Sequence, residues 1–323
     1  MRHRSDLRAL LYVAAHYGLA AFGMITYRSM STWQVVAVFV AMCLSCFVMA
    51  TIVHNTLHVP VFRSRALNKL YQVVLTVGQG HPVSAFVPGH NFSHHLHTAT
   101  ARDIMRPTQL TFRWNLLNQL LFFFRVVPEI MSSERRWAAK MRRENPAWFR
   151  QYLIENAALY TMRISLLLYD FWAGVIFIAI PHFYGHWGVV GANVYQHDGC
   201  VVGHEHDHSR SFTGWLLNFV LFNNGYHAAH HMKPGLHWSQ LPDYHAKHVA
   251  PHAHPALIQR SIIAYLWRAC IYPGKRVDLD GNPISPRRTE SEDWVAGVER
   301  LDREVLATQL GADALQRQPE PAE

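Results

Sequence analysis

The chain has 323 residues, of which 50% are hydrophobic, and a formal net charge of +8 with its 23 histidines counted as neutral. This length and apolar content suffice for a large buried core, and the positive charge favours anionic lipid headgroups or an acidic protein as partners. No basic helix with interleaved aromatic residues matches a nucleic-acid-reading module, so we expect no nucleic acid partner.

The N-terminal segments predict two membrane-spanning helices. An arginine-rich start precedes an apolar run from Leu10 to Thr26, and Trp33–Val53 then provides 21 residues without a charge. A stretch of about 20 apolar residues is long enough to cross a bilayer. The positive-inside rule places the N-terminus in the cytoplasm, so the chain returns there at His54. Cys43 and Cys46 lie inside the second span and are expected to pack rather than to form a redox or zinc pair.

The next stretch, from residue 54 to about residue 155, is rich in basic residues and is predicted to stay on the cytoplasmic side. Leu70–Pro88 is apolar but broken by glycine and proline, which indicates an interfacial or re-entrant segment. Leu116–Val127 is amphipathic and is predicted to lie along the membrane surface. The charge-rich Ser133–Asn145 fits either a solvated helix face or a docking surface for an acidic electron carrier.

Ala157–Tyr195 is apolar and just long enough for two tight spans, which gives four crossings in total. The turn between these spans falls either at Asp170–Gly174 or at Pro181–Gly185, and the sequence leaves both open. Arg163 is expected to extend its charge to the cytoplasmic interface. The crossings return the chain to the cytoplasm at His197.

The C-terminal part is predicted to be cytoplasmic. Gly214–Phe222 is a short apolar segment, and Ala256–Tyr272 is predicted to be one amphipathic helix. Ser291 is predicted to cap a further helix, and the chain after Gly311 is polar and predicted to be disordered. That further helix would carry four apolar residues at helical spacing, which are Trp294, Val298, Leu301 and Val305. We therefore divide the chain into a membrane domain with a cytoplasmic cap, residues 1–272, and a polar tail, residues 273–323.

Three histidine clusters follow the apolar segments. Residues at positions i, i+3 and i+4 share one face of a helix, so the rings within each cluster can converge. Imidazole suits iron, zinc or copper, and the sequence therefore predicts a metal site. The three clusters are His54 and His58 in HNTLH, His90, His94 and His95 in HNFSHH, and His227, His230 and His231 in HAAHH.

In order, spacing and topology these clusters resemble the three histidine boxes of the membrane fatty acid desaturase family, over about residues 35–255. The resemblance implies an all-α integral membrane bundle of about four transmembrane helices, with a cytoplasmic helical cap that holds a di-iron site. It also implies that the eight box histidines bind two iron ions and that O2 is a co-substrate. A single structural zinc would need only four ligands.

The resemblance implies one ligand outside the boxes. Related desaturases have a further histidine some thirty residues before the last box, four residues after an asparagine that reaches one iron through water. This sequence has that arrangement at His197 and Asn193. We therefore expect His197 to be a ninth iron ligand and Asn193 to support one iron through a water molecule.

The function that the resemblance implies is desaturation of an acyl-lipid or acyl-thioester, in which a double bond is inserted into the acyl chain. The electron donor is expected to be a separate protein, similar to a ferredoxin, a rubredoxin or cytochrome b5. Lipid hydroxylases and carotenoid ketolases of the same superfamily are the closest alternatives. A non-enzymatic membrane metal-binding protein or transporter is the second alternative, and it would place ligands along a transmembrane path.

The remaining polar residues near the boxes receive lesser roles. Asn91, Asp198, Asn223 and Asn224 are candidates to orient the ligand rings. His81, His182 and His186 are expected to be structural. The other histidines not expected to bind the metals are His204, His206, His208, His237, His245, His248, His252 and His254.

Overall fold

The computed structural model describes residues 1–286, 289–296 and 298, and its regular structure is almost entirely helical. π-helical turns occur at Gly89–His95, Val175–Ala179, His245–Val249 and Trp267–Ile271. Two short strands, β1 (Ser211–Phe212) and β2 (Ile258–Gln259), pair in parallel. The helices are α1 Asp6–Thr26, α2 Thr32–His58, α3 Arg65–Gln79, α4 Val83–Pro88, α5 Asn115–Glu144, α6 Pro146–Tyr169, α7 Phe171–Gly174, α8 Ile180–His197, α9 Trp215–Val220, α10 His227–Met232, α11 Leu241–Tyr244 and α12 Ile262–Leu266.

Three helical segments of the described chain are long and apolar enough to cross a bilayer, namely Asp6–Ser29, Thr32–His58 and Phe171–His197. The first two agree with the predicted N-terminal pair. Glycines let the bundle pack closely, since a Cβ at Gly185 of α8 would lie 3.0 Å from the Cys46 backbone of α2. Cys43 and Cys46 are buried and unbonded to each other, as expected for packing residues.

The predicted pair of spans between residues 157 and 195 is divided at Asp170. Its Oδ1 accepts a hydrogen bond from the amide of Ala173 at 3.2 Å, and its Oδ2 pairs with Arg28 at 2.8 Å. The alternative prediction, a turn at Pro181–Gly185, is wrong because these residues lie inside α8. The preceding helix, α6, contains charged residues and is not among the three apolar segments, so a fourth crossing stays a prediction.

The stretch predicted to be interfacial or re-entrant folds into α3 and α4, which are joined at Gly80. Gly80 has a φ of +86°, and a Cβ there would lie 2.4 Å from the ring of His182. Arg163 donates to the carbonyl of Gly80 at 2.7 Å, so its side chain contacts the corner between α3 and α4, and its reach to the cytoplasmic interface stays a prediction. Glu155 accepts hydrogen bonds from the backbone and hydroxyl of Ser84 at 2.8 and 2.9 Å. Helix α6 thus fixes the hairpin that leads into the second histidine cluster.

The predicted surface helix and the charge-rich segment form one 30-residue helix, α5. The described part of the tail packs on it, with the rings of Trp294 and Trp137 stacked 5.6 Å apart. The Ser291 hydroxyl accepts from Arg106 at 2.8 Å and donates to Glu129 at 2.9 Å, so the predicted helix cap is wrong. Leu301, Val305 and the chain after Gly311 lie outside the described residues.

The helix predicted over Ala256–Tyr272 begins only at Ile262. The residues before it form a 3₁₀ turn and then β2, which pairs with β1 in the register Ser211 to Ile258 and Phe212 to Gln259. This long-range pairing overrides the local helical pattern. Together with an isolated antiparallel bridge between Val277 and Pro283, it departs from an all-α fold among the residues that the structure describes.

Candidate metal centre

Four segments come together and carry all nine predicted histidine ligands. The end of α2 brings the first cluster, the π-helical turn Gly89–His95 brings the second, and α10 brings the third. The last residue of α8 is His197. The nine rings form two groups, and the ring nitrogens that could hold an ion within each group lie within 4.8 Å of one another. The first group is His54, His58, His90, His95 and His230, and the second is His94, His197, His227 and His231.

The π-helical turn explains how the second cluster serves both groups. In an α-helix, positions i and i+4 share a face, which would join His90 with His94. In the wider turn, His90 instead joins His95, and their Nε2 atoms lie 3.0 Å apart. His94 faces the second group, with its ring 4.8 Å from that of His197. Single-turn π-bulges are frequent at functional sites.

The nitrogen positions fit bound metal ions. The Nε2 atom of His90 lies 3.0 Å from that of His58, and the Nε2 atoms of His197 and His227 are 2.8 Å apart. Ligands about 2.1 Å from a shared ion and at right angles lie roughly 3.0 Å apart. The Nε2 atom of His231 is buried without a hydrogen-bond partner in the described chain, and an ion would satisfy it. A donor set made only of imidazoles suits iron, zinc or copper.

Burial favours the neutral form of five candidate ligand rings. Burial, and then the neighbouring histidines, hold the pKa of His90, His95 and His230 well below its usual value of 6.5. The same causes lower the pKa of His227 and His231. A neutral imidazole has a free nitrogen lone pair, so these rings are ready to bind a metal at neutral pH.

Two hydrogen-bond partners that orient candidate ligand rings were not predicted from the sequence. The Nδ1 atom of His94 lies 3.1 Å from Oδ2 of Asp103, whose carboxylate also accepts from the amides of Ala99 and Met105. The Nδ1 atom of His197 lies 3.1 Å from the carbonyl of His208. Such contacts fix the tautomer of a ring and would direct its Nε2 toward a bound metal. The only sequence signal for Asp103 is an acidic residue soon after the second cluster, since no regular spacing links it to His94.

Of the predicted orienting residues, Asn224 interacts with the ring of His54, and the following contacts are made besides. Asp198 binds Arg276 through both carboxylate oxygens at 2.6 to 3.0 Å. Asn223 donates to the carbonyl of Trp238 at 3.0 Å. Asn224 donates to Oδ1 of Asn55 at 2.9 Å and lines a cavity beside His54. Asn91 is buried in the π-helical turn itself.

Asn193 lies one turn before His197 on α8 and is 5% exposed. Its amide nitrogen donates to the carbonyl of Met105. The side chain lines the same cavity as His94 and His227. Its proposed link to a metal through water stays a prediction.

The other histidines lie outside both groups of the described chain. His81 pairs with Glu134 at 3.2 Å, and His237 pairs with Asp6 at 2.9 Å. His206 stacks on His252 with ring centroids 4.9 Å apart. His208 comes nearest, with its ring 5.6 Å from that of His231. The ion pair of His81 agrees with the structural role expected for it.

Replacing Asp103 with asparagine should lower metal affinity in the second group by about 10–100-fold, because the amide no longer holds His94 with a charged acceptor. Competition with a chelator, followed by metal analysis, measures the change. Asp243→Asn, at an exposed position, is the matched control. Equal metal retention by both variants would show that Asp103 does not orient the ligand.

The sequence model of the fatty acid desaturase family matches residues 31–261, which is more than half of the chain and contains all nine histidines. The comparison with curated proteins gives no match.

Proposed function

Because this chain belongs to the fatty acid desaturase family, we propose that it is a membrane-bound, non-haem di-iron desaturase that uses O2 to insert a double bond into an acyl chain. The observation that carries the proposal is the pair of adjacent, all-histidine groups within the matched region. The soluble di-iron carboxylate bundles hold their irons with Glu-x-x-His pairs, and neither group contains a carboxylate.

Three membrane-capable helices and the family make the chain an integral membrane protein. We propose four crossings, with α6 as the additional one, and a cytoplasmic catalytic face. The basic residues between α2 and α6 support this orientation under the positive-inside rule. Reporter fusions at Ser133 and Thr289 should report the same side of the membrane, and opposite sides would overturn the topology.

The first histidine group would hold one iron and the second group the other. Two irons bound there would supply the oxygen-dependent oxidation of an unactivated C–H bond. The protein orients the rings through contacts such as that between His94 and Asp103. It also keeps most ligands away from water, since only His95 and His231 are partly exposed. This open side is where we place electron entry from a separate ferredoxin-, rubredoxin- or cytochrome b5-like donor.

An apolar cavity next to both groups would hold the acyl chain. Its walls include Phe47 and Thr51 on α2, one to two turns below His54, and Val189 and Val190 on α8. The cavity is narrow, with about 70 Å³ open to water-sized molecules. Its small volume and apolar lining would limit which carbon of the chain reaches the histidine groups.

Mass spectrometry of lipids from cells that express the chain tests the reaction. We expect products with two fewer hydrogens than their substrates, absent from cells that express His94→Ala. Products that gain an oxygen would overturn desaturation in favour of a hydroxylase or ketolase. No change in any lipid, with metal still bound, would favour a non-enzymatic metal-binding protein.

A further inference from the structure

Helices α9 and α12 turn large apolar side chains away from the protein. Trp215 on α9 is 77% exposed and Ile263 on α12 is 79% exposed. Contiguous exposed apolar patches of this kind mark binding sites for protein, membrane or ligand. The other exposed apolar side chains of the two helices and the turn after α12 are Leu216, Phe219, Val220, Trp267, Ile271 and Tyr272.

The parallel ladder holds the two helices side by side. β1 leads into α9 and β2 leads into α12, so both helices leave the ladder at the same end. The amide of Thr213 donates to the carbonyl of Gln259 at 2.8 Å. A Cβ on Gly214 would lie 2.6 Å from the Arg260 carbonyl, so only glycine allows this approach. Both helices thus start from the same end of the ladder, and we call their exposed apolar residues together the α9–α12 face.

The opposite side of the helix pair lines the cavity beside the histidines. Leu217 and Leu221 line it from α9 and its C-terminal end, and Ile262 lines it from α12. Facing them across the cavity are Phe47 on α2 and Val190 on α8. The helix pair is thus the wall between the cavity and whatever surrounds the α9–α12 face.

We propose that the α9–α12 face lies in the interfacial layer of the bilayer and that the helix pair is a lateral gate, through which the acyl chain of a membrane lipid enters the cavity. The role of the gate in substrate entry rests on the proposed function. The contact of the α9–α12 face with the membrane does not. The same cavity is lined by Phe47 of α2 and Val190 of α8, which both belong to membrane-capable helices, so the helix pair adjoins the membrane-spanning part of the molecule.

The composition of the face supports the bilayer over a soluble acyl carrier as its partner. Tryptophan and tyrosine are enriched at membrane interfaces, and the face carries Trp215, Trp267 and Tyr272. Arg260 and Arg268 are exposed beside it, where guanidinium groups would meet lipid phosphates. A docking site for an acidic soluble carrier would be recognised mainly by a basic surface, whereas most of the side chains of this face are apolar.

Membrane contact is tested by tryptophan fluorescence in vesicles of phosphatidylcholine with brominated acyl chains. Replacing Trp215 and Trp267 together with phenylalanine should remove a clear part of the fluorescence that bromine quenches. Trp137→Phe is the control, because Trp137 is 1% exposed and stacks on Trp294 inside the protein. Equal quenched fractions in the double variant and in the control would overturn the membrane position.

Lipid entry is tested by labelling the full chain in vesicles with a phosphatidylcholine that carries a diazirine on its acyl chain. We expect fragment spectra to place label on the cavity-lining Leu217 and Ile262 themselves, in addition to the outward-facing Leu216 and Ile263. Leu217→Trp, which narrows the cavity, should lower this labelling several-fold, whereas the outward-facing Leu216→Trp should not. Labelling by a soluble diazirine acyl thioester but not by the lipid, or equal effects of both variants, would overturn the gate. Lipid labelling without any double-bond product would retain the gate and overturn the proposed reaction.

Discussion

Replacing His197 with alanine is expected to abolish product formation and to reduce bound iron from two ions per chain to about one. His197 supplies one of only four ring nitrogens in the second group, and its Nε2 lies 2.8 Å from that of His227. Loss of one of the four nitrogens should weaken metal binding in this group, because the binding free energy comes from the ligands that the fold brings together. Iron analysis of the anaerobically purified protein and lipid mass spectrometry measure the two losses.

Two further variants on α8 serve as a comparison and as a control for His197→Ala. Asn193→Ala removes a cavity side chain outside both groups, so it should lower activity or metal affinity by about 10–100-fold without abolishing binding. His186→Ala changes a partly buried histidine that is outside both groups, and it should leave iron content intact. If His197→Ala protein keeps both irons and a normal product yield, His197 is not a ligand.

The second large effect is expected from the ion pair that follows His197 directly. Arg276 and Asp198 are 7% and 5% exposed, and the guanidinium reaches both carboxylate oxygens. Arg276→Met leaves the buried carboxylate without its cation, which should cost about 3–5 kcal/mol of unfolding free energy. Denaturation of the detergent-solubilised protein measures this loss.

The control is Arg268→Met, an exposed arginine, which should change stability by less than about 0.5 kcal/mol. The double variant Asp198→Asn with Arg276→Met should recover part of the loss, since no charge then remains buried without a partner. If Arg276→Met is as stable as the control, the pair does not hold the end of α8 in place.

The sequence was sufficient for the family and for the positions of the nine histidines in one centre, because ligand spacing is a local property. The family match confirms the recognition, and the structure brings His197 and the three boxes together. The ligand roles themselves stay predictions. The sequence did not reveal how the rings divide between the two groups. The spacing of His90, His94 and His95 is compatible with an α-helix as well as with a π-helical turn, and only the π-helical turn joins His90 with His95.

Long-range contacts account for the other differences. Asp103 reaches His94 through an irregular loop, so no periodicity predicts the contact. The first residues of the predicted helix before Ile262 pair instead with a strand some 47 residues earlier in the chain. Arg163 finds a backbone carbonyl at Gly80, a partner created only when α3 turns into α4. Each depends on tertiary neighbours, which local propensity does not encode.

The π-helical turn at Gly89–His95 has a consequence for how this protein can be altered. Each residue of an α-helix advances the side chain by about 100° around the axis. Deleting one residue between His90 and His94 would therefore rotate both later rings away from their groups, even though every histidine would still be present. The length of this box is therefore as constrained as its composition.

Insertions should be made elsewhere, for example beside the exposed Gly203. An added side chain there meets no neighbour within 4 Å, although the φ of +75° favours keeping the glycine itself.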